Sequence, residues 1–261
     1  MYNFEFEKPG SVADAVAALG AEDAQALGGG QTLIPTLKQR LNQPSKLVSL
    51  SGIADMKGVS ASGGMITIGG ATTHATVAAE ASAYPALAAT AAHIGDPAVR
   101  NRGTIGGSLA NNDPAACYPA ALLGSGGSVK TDNRDIDADE YFQGMFSTAL
   151  EEGEIITGVT FNIPEKANYQ KFVQPASRFA LVGVFVAKHA DGARVAITGA
   201  SEDGVFRWSE AETALSSNFS AAALDGISVS ADGMITDLHG TGAYRAHLLG
   251  ILTKRAVAAA A

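Results

Sequence analysis

The chain holds a single cysteine, Cys117, among 261 residues. One thiol closes no internal disulfide and cannot ligate an iron–sulfur cluster, which takes about four cysteines. If the chain moves electrons, it does so without metal clusters of its own. Basic charge is also scarce: 18 Lys and Arg against 26 Asp and Glu give a net charge of -8, which argues against a nucleic-acid or anionic-membrane partner. No stretch approaches the ~20 apolar residues of a membrane span. Met1-Tyr2-Asn3-Phe4-Glu5 shows no basic region leading into an apolar run. A soluble, cytoplasmic chain is expected. The five histidines, at 74, 93, 189, 239 and 247, have no metal-ligand spacing. Asp135, Asp137 and Asp139 alternate before Glu140, but the central glycine and distal glutamate of an EF-hand loop are missing. Acids entering a short helix at Ala138 are the simpler reading, and no metal is expected. Cys117 and His93 allow a thiolate pair that no spacing demands.

Glycine, by contrast, is plentiful and clustered. Gly103-Thr104-Ile105-Gly106-Gly107-Ser108 puts three glycines in five residues, with hydroxyls on either side of the pair. Bare backbone of this kind lets another group approach closely, and successive N–H groups can form a nest for an anion. Gly28-Gly29-Gly30-Gln31-Thr32 has the same make-up. Each loop alone also reads as a tight turn; together they suggest one long ligand with two phosphates, gripped from both sides. The common fingerprints fail. Leu33 stands where the dinucleotide motif needs its third small residue, no acid ends the next strand, and no Lys-Ser/Thr pair follows either cluster.

Around these loops the chain reads as alternating helix and strand. Ser11 caps a first helix with Asp14 in its opening turn, and Val12, Val16 and Leu19 form one face. A strand at Ala24–Leu27 leads into the first loop. Thr32 is expected to cap the next helix, with Leu33, Leu37 and Leu41 buried and Pro35 tolerated in its first turn. A strand at Lys46–Leu50 completes a lobe over 1–57. A second lobe, 58–168, holds strands at Met65–Gly69, Ser128–Thr131 and Glu154–Phe161, and helices from Thr73 and Pro85. From 169 on, antiparallel strands at Phe179–Ala187 and Ala193–Thr198 flank a turn at Asp191-Gly192. Ser209 is expected to cap a helix, and a last helix from Gly242 buries Tyr244, Leu248, Ile251 and Leu252. Trp208 reads as core, and the tail Ala258–Ala261 as loosely held.

The stretch Ala26-Leu27-Gly28-Gly29-Gly30-Gln31-Thr32, taken with Gly103-Thr104-Ile105-Gly106-Gly107-Ser108 and its continuation Ala110-Asn111-Asn112-Asp113-Pro114-Ala115-Ala116, resembles the FAD-binding medium subunit of molybdenum hydroxylases. These belong to the carbon monoxide dehydrogenase and xanthine dehydrogenase group, and the resemblance covers nearly the whole chain. It implies an α+β fold: two small α/β lobes forming a PCMH-type FAD-binding domain, then a C-terminal domain of antiparallel sheet and helices. It implies that Gly29, Gly30, Gln31 and Thr32 cradle the pyrophosphate, that Leu33 and Ile34 carry it into the helix, and that Leu27 and Gly28 approach the adenine-to-ribityl part. Gly103, Thr104, Gly106, Gly107, Ser108 and Ala110 then contact phosphate and ribityl groups, with Asn111 and Ala116 near the adenosine half. Ile94 and Gly95 match positions beside the isoalloxazine ring, and Ile156 one near the far end. Lys171 or Gln174 matches a lysine contact. Cys117 stands where several relatives have an aspartate, and Asp113 is the acid left to serve the adenosine end. Ile94 replaces an aromatic, so stacking on the ring is expected to be aliphatic.

The function implied is electron transfer. Reducing equivalents leave a molybdenum site on a large partner, cross iron–sulfur clusters on a small one, and pass through FAD to an external acceptor. Two copies of each subunit are implied. No residue of this chain is expected to be catalytic, because the redox chemistry belongs to the cofactor. The alternatives are a self-sufficient FAD-dependent oxidase or reductase, and a scaffold that has lost its ligand.

Overall fold

The computed structural model describes residues 1–260. Its first sheet is built from β1 (Glu5–Glu7), β2 (Ala24–Leu27) and β3 (Lys46–Ser49), in the order β1-β3-β2 with both pairings parallel. Parallel neighbours need crossovers, and α1 (Val12–Leu19) and α2 (Leu33–Lys38) supply them. Ser11 caps α1 as expected, accepting the Asp14 N–H at 3.1 Å. The buried face of α1 is Ala15, Ala18 and Leu19, whereas Val16 is 37% exposed. The small alanines let the helix lie close on the sheet, and Val16 falls outside that narrow stripe. Leu41 is likewise exposed, because α2 ends at Lys38 and Arg40 turns left-handed before it. Thr32 makes no side-chain cap.

The second sheet follows with β4 (Val59–Ser62) and β5 (Met65–Gly69). Five helices then interrupt it: α3 (His74–Glu80), α4 (Pro85–Ala92), α5 (Pro97–Arg100), α6 (Ile105–Asn111) and α7 (Cys117–Ser125). The chain returns through β6 (Ser128–Thr131), β7 (Asp135–Asp137), α8 (Ala138–Tyr141), a small hairpin of β8 (Phe142–Gly144) and β9 (Ser147–Thr148), and β10 (Ile156–Asn162). The order β4-β5-β10-β6-β7 places the last strand at the centre. Every residue of α7 is buried, and it packs with Ile66, Ile68, Leu109 and Phe161 in one core. Of the alternating acids, Asp139 is ion-paired, binding both Arg194 and Arg207.

The third sheet is an antiparallel meander of β11 (Lys166–Val173), β12 (Ala180–His189), β13 (Gly192–Ser201) and β14 (Gly204–Arg207). The hairpin forms where Asp-Gly placed it, with His189 paired to Gly192. Two helices cover this sheet, α9 (Ser209–Ser217) and α10 (Gly242–Ala259). Trp208, 3% exposed, is core as expected, but it also takes the N-cap position assigned to Ser209, whose hydroxyl turns to Glu210. In α10 the buried face is Leu248, Leu249, Leu252 and Ala256, while Tyr244 is 40% exposed at the edge of Phe172. The helix also runs on through Ala258 and Ala259, so that part of the tail is ordered; Ala261 lies outside the described residues.

Candidate functional site

A cleft of about 700 Å³ opens where the turn from β2 to α2 meets the starts of α3, α6 and α7, the α4–α5 turn, the approach to β10, and β11. A cavity of this size is in the range that holds a cofactor. Every residue matched to the cofactor from the sequence lines it except Ile34 and the alternative Gln174. Ile34 turns instead toward its own loop, and a side chain on Gly30 would meet its Cδ1 at 2.6 Å. Lys171 lines the cleft and Gln174 does not.

The two glycine loops turn out to differ in kind. At Gly28–Thr32 the backbone leaves β2 and reaches α2 with Gly30 at φ +72. Among the described residues, no protein acceptor takes the N–H groups of Gly29, Gly30, Gln31 or Thr32. Such a run of unpaired donors at the cleft wall suits an anion. The Gln31 amide folds back on the Gly29 carbonyl at 3.2 Å, which stiffens the turn.

The second cluster is not a nest. Thr104 caps α6, its Oγ1 accepting the Gly107 N–H at 3.1 Å. The Ile105 N–H donates to the Thr72 carbonyl at 3.1 Å, and that of Gly106 to the Gly70 carbonyl at 2.9 Å. The first-turn donors of the helix are thus spent on the protein. Most of the glycines here serve packing. A Cβ on Gly106 would lie 2.6 Å from the Gly70 carbonyl oxygen, and one on Gly103 would lie 2.5 Å from His74 Nε2. Gly29 faces the same junction from the other loop: its Cβ would overlap the Arg102 carbonyl and sit 2.6 Å from Gly103 Cα. The loops therefore touch each other backbone to backbone. Gly107 alone in this cluster meets no backbone, an exposed helical residue at the cleft surface with ordinary backbone angles. What α6 offers to a ligand is its side chains, Ser108 and Asn111.

His74, buried beneath Gly103 and 5.3 Å from the Tyr118 ring, was absent from the sequence-based set. Burial, and next the Arg100 charge, lower its pKa from 6.5 to about 4, so the imidazole is neutral. Arg100 also fastens the Ile94–Gly95 turn, donating to their carbonyls at 3.1 and 3.2 Å. Lys171 secures the residue before it, bonding the His93 carbonyl at 2.8 Å and lying 3.6 Å from Cys117 Sγ. The contact left open between Cys117 and His93 is thus taken by a lysine. Phe179 lines the same end, following two left-handed residues, Ser177 and Arg178, and meeting His239 edge-on at 5.2 Å. Only its place at the start of a strand pointed to it. At the other end Asp113 accepts the Ala115 N–H at 2.8 Å, and Asn112, left-handed, ties the chain to the β8–β9 hairpin through Gly144 and Ser147.

The donor set fits a dinucleotide with an aromatic ring system: open amides for a pyrophosphate, a hydroxyl and an amide along α6, and apolar Ile94, Ile156 and Phe179. Residues 2–165 match the model of the FAD binding domain in molybdopterin dehydrogenase. The chain is 31% identical to the carbon monoxide dehydrogenase medium chain of Afipia carboxidovorans, over 98% of this chain and 96% of that one. It is 32% identical to the nicotine 6-hydroxylase medium subunit of Paenarthrobacter nicotinovorans, over 97% and 95%. Among solved structures, reconstituted CO dehydrogenase from Oligotropha carboxidovorans superposes with a TM-score of 0.88 at 30% identity, covering 98% of this chain and 97% of that one. Sequence, fold and cleft agree: the chain belongs to the FAD-binding medium subunits of molybdenum hydroxylases, a subunit of a molybdenum-dependent oxidoreductase with FAD as its cofactor.

Proposed function

We propose that this subunit relays electrons from iron–sulfur clusters on a small partner, fed by a molybdenum site on a large one, to an external acceptor. The complex holds two copies of each subunit and works in the cytoplasm. Lobes 1–57 and 58–168 enclose the cofactor, and 169–261 forms a separate domain that closes the ring end through Lys171 and Phe179.

The observation that carries this reading is that three titratable groups lining the cleft, His74, Lys171 and Glu154, are already committed to the protein. His74 is neutral and buried, Lys171 is bonded to the His93 carbonyl, and the Glu154 carboxyl is held down to about 2 by its Arg134 ion pair. A self-sufficient oxidase needs an acid or base poised against its substrate; this cleft has positioning groups instead. Bound there, FAD supplies the two-electron redox chemistry. Gly29 to Thr32 hold negative charge with their N–H groups, Ser108 and Asn111 donate along the middle, and Ile94 and Phe179 exclude water from the ring end.

The test is reconstitution. Mixing the purified subunits and adding the large subunit's substrate is expected to bleach the flavin absorption, while this chain with substrate alone keeps it. Bleaching without partners selects the self-sufficient enzyme.

A further inference from the structure

Tyr169 and Lys171 are two apart on β11 and so share one face of the strand. Both reach the start of α7 at Cys117. Lys171 Nζ lies 3.6 Å from the sulfur. The Tyr169 hydroxyl is buried beside the same thiol and has no partner in the structure, although Tyr169 is only 4% exposed. Burial, and next the neighbouring Cys117, raise its pKa well above the usual value, so the hydroxyl keeps its proton and remains a donor. A buried donor with only a thiol sulfur beside it, a weak acceptor, calls for a better one. The cluster sits on the cleft wall, which Cys117 and Lys171 both line.

Three features decide how this sulfur responds to oxidation. The chain has no second cysteine, so no internal disulfide can trap an oxidised Cys117. The thiol is 4% exposed, which admits a molecule of water's size more readily than a peptide thiol. An amine stands at contact distance. We propose that Cys117 and Lys171 form a redox-reversible sulfenamide cross-link in response to hydrogen peroxide.

The chemistry balances in two steps. The Cys117 sulfur takes one oxygen from hydrogen peroxide, giving sulfenic acid and releasing water. Its oxygen is the acceptor that the Tyr169 hydroxyl lacks. The neutral amine of Lys171, after losing a proton to solvent, attacks the sulfur. An S–N bond forms, the S–O bond breaks, and the oxygen leaves as a second water, keeping the sulfenic acid hydrogen and taking one hydrogen from the amine. Net, the protein loses two hydrogens and peroxide becomes water. A small thiol reverses the link by attacking the sulfur, which frees the lysine, and a second thiol then frees the cysteine with release of a disulfide. The link fastens α7 to β11 and draws Lys171 away from the His93 carbonyl beside the Ile94–Gly95 turn. Its existence rests on the side-chain cluster alone and does not depend on the electron route proposed above.

The experiment treats the purified protein, with its cofactor, with hydrogen peroxide, then alkylates, digests and maps it by mass spectrometry. The expected product is a peptide joining Cys117 to Lys171 at the summed mass less two hydrogens, absent after dithiothreitol. In Lys171→Arg, Cys117 is expected to run on to the sulfinic acid over the same time. Flavin absorption and near-ultraviolet circular dichroism before treatment establish that each sample is folded. Cys117 recovered as sulfinic acid in the unsubstituted protein, Cys117 left fully alkylated, or a cross-link that retains the oxygen each overturns the proposal.

Discussion

The two glycine clusters look alike in composition and do opposite work. Gly28–Thr32 keeps its amides free and presents them to the cleft, whereas Gly103–Ser108 spends its amides on Thr72, Gly70 and Thr104. The difference arises at the helix that each loop opens. At the first, Thr32 is already helical at φ -101 and its side chain makes no cap, so nothing in the protein competes for the donors. At the second, Thr104 is extended at φ -114 and caps α6, while the backbone before α3 lies against the helix start. Glycine in one loop exposes the main chain to a ligand; in the other it lets two main chains meet. Composition alone cannot tell these apart, since both require a missing Cβ.

The largest effect is expected at the junction. Gly29→Ala places a methyl group against the Arg102 carbonyl and Gly103 Cα, which are backbone atoms and cannot swing aside. The loops must part, and overpacking of this kind costs ~1–3 kcal/mol. Purified Gly29→Ala protein should carry little FAD, read as the ratio of flavin to protein absorbance, and should melt earlier. Full occupancy would show that the contact between loops is dispensable.

Gly107→Val separates binding from folding more cleanly. Its Cβ meets one side-chain atom, Thr104 Oγ1 at 3.0 Å, which must give by a few tenths of an ångström; the backbone is helical, so valine costs the fold no more than that cap. The branched side chain instead fills cleft space. FAD is expected to be lost while the melting temperature of the cofactor-free protein moves by only a few degrees, as small changes do. A variant that keeps its flavin would remove α6 from the site.

The loops also differ in their response to acid. His74 supports Gly103 from below, and no titratable side chain occupies the first loop. The His74 pKa lies at about 4 in the folded protein against 6.5 when exposed. As pH falls below 6.5 the unfolded chain takes the proton first, so stability is whole above that point and declines toward pH 4. The loss reaches about 3 kcal/mol if nothing relaxes. Urea titrations across this window should show the decline, and His74→Gln should remove that part of it. An unchanged slope in the variant would assign the acid sensitivity elsewhere.

Much of this was legible in the sequence for identifiable reasons. The Ser11 cap, the Asp191-Gly192 hairpin and the strand at Met65–Gly69 are set by neighbours a few residues away, and all three form. The set of cleft residues was legible because both glycine clusters and the run after them carry the family's pattern. What escaped depends on distance in the chain. Thr72 and Gly70 lie over 30 residues before the helix whose amides they satisfy, so nothing in the 103–108 stretch announces that its donors are occupied. His74 and Phe179 reach the cleft through packing of α3 and the β11–β12 turn. Leu41 failed differently: the helical spacing was right, but Arg40 left the helix first.

The smallest expected effects come from the two threonines, and they should cross. Thr104 Oγ1 accepts the Gly107 N–H at 3.1 Å, so Thr104→Ala uncaps α6 and costs ~1 kcal/mol of stability in the cofactor-free protein. Thr104→Ser keeps the oxygen and should restore most of it. Thr32 makes no cap to α2, so Thr32→Ala should leave cofactor-free stability within ~0.5 kcal/mol of the parent. With FAD present the order reverses. A ligand stabilises the fold in proportion to the logarithm of its concentration over its dissociation constant, and Thr32 stands among the open donors proposed to meet it. Thr32→Ala should therefore shrink the rise in melting temperature that FAD produces, while Thr104→Ala lowers both melts nearly in parallel. Melting each variant with and without added FAD gives the four numbers needed. If Thr32→Ala lowers the cofactor-free melt as much as Thr104→Ala does, the first loop is a cap like the second, and the division of labour between them is wrong.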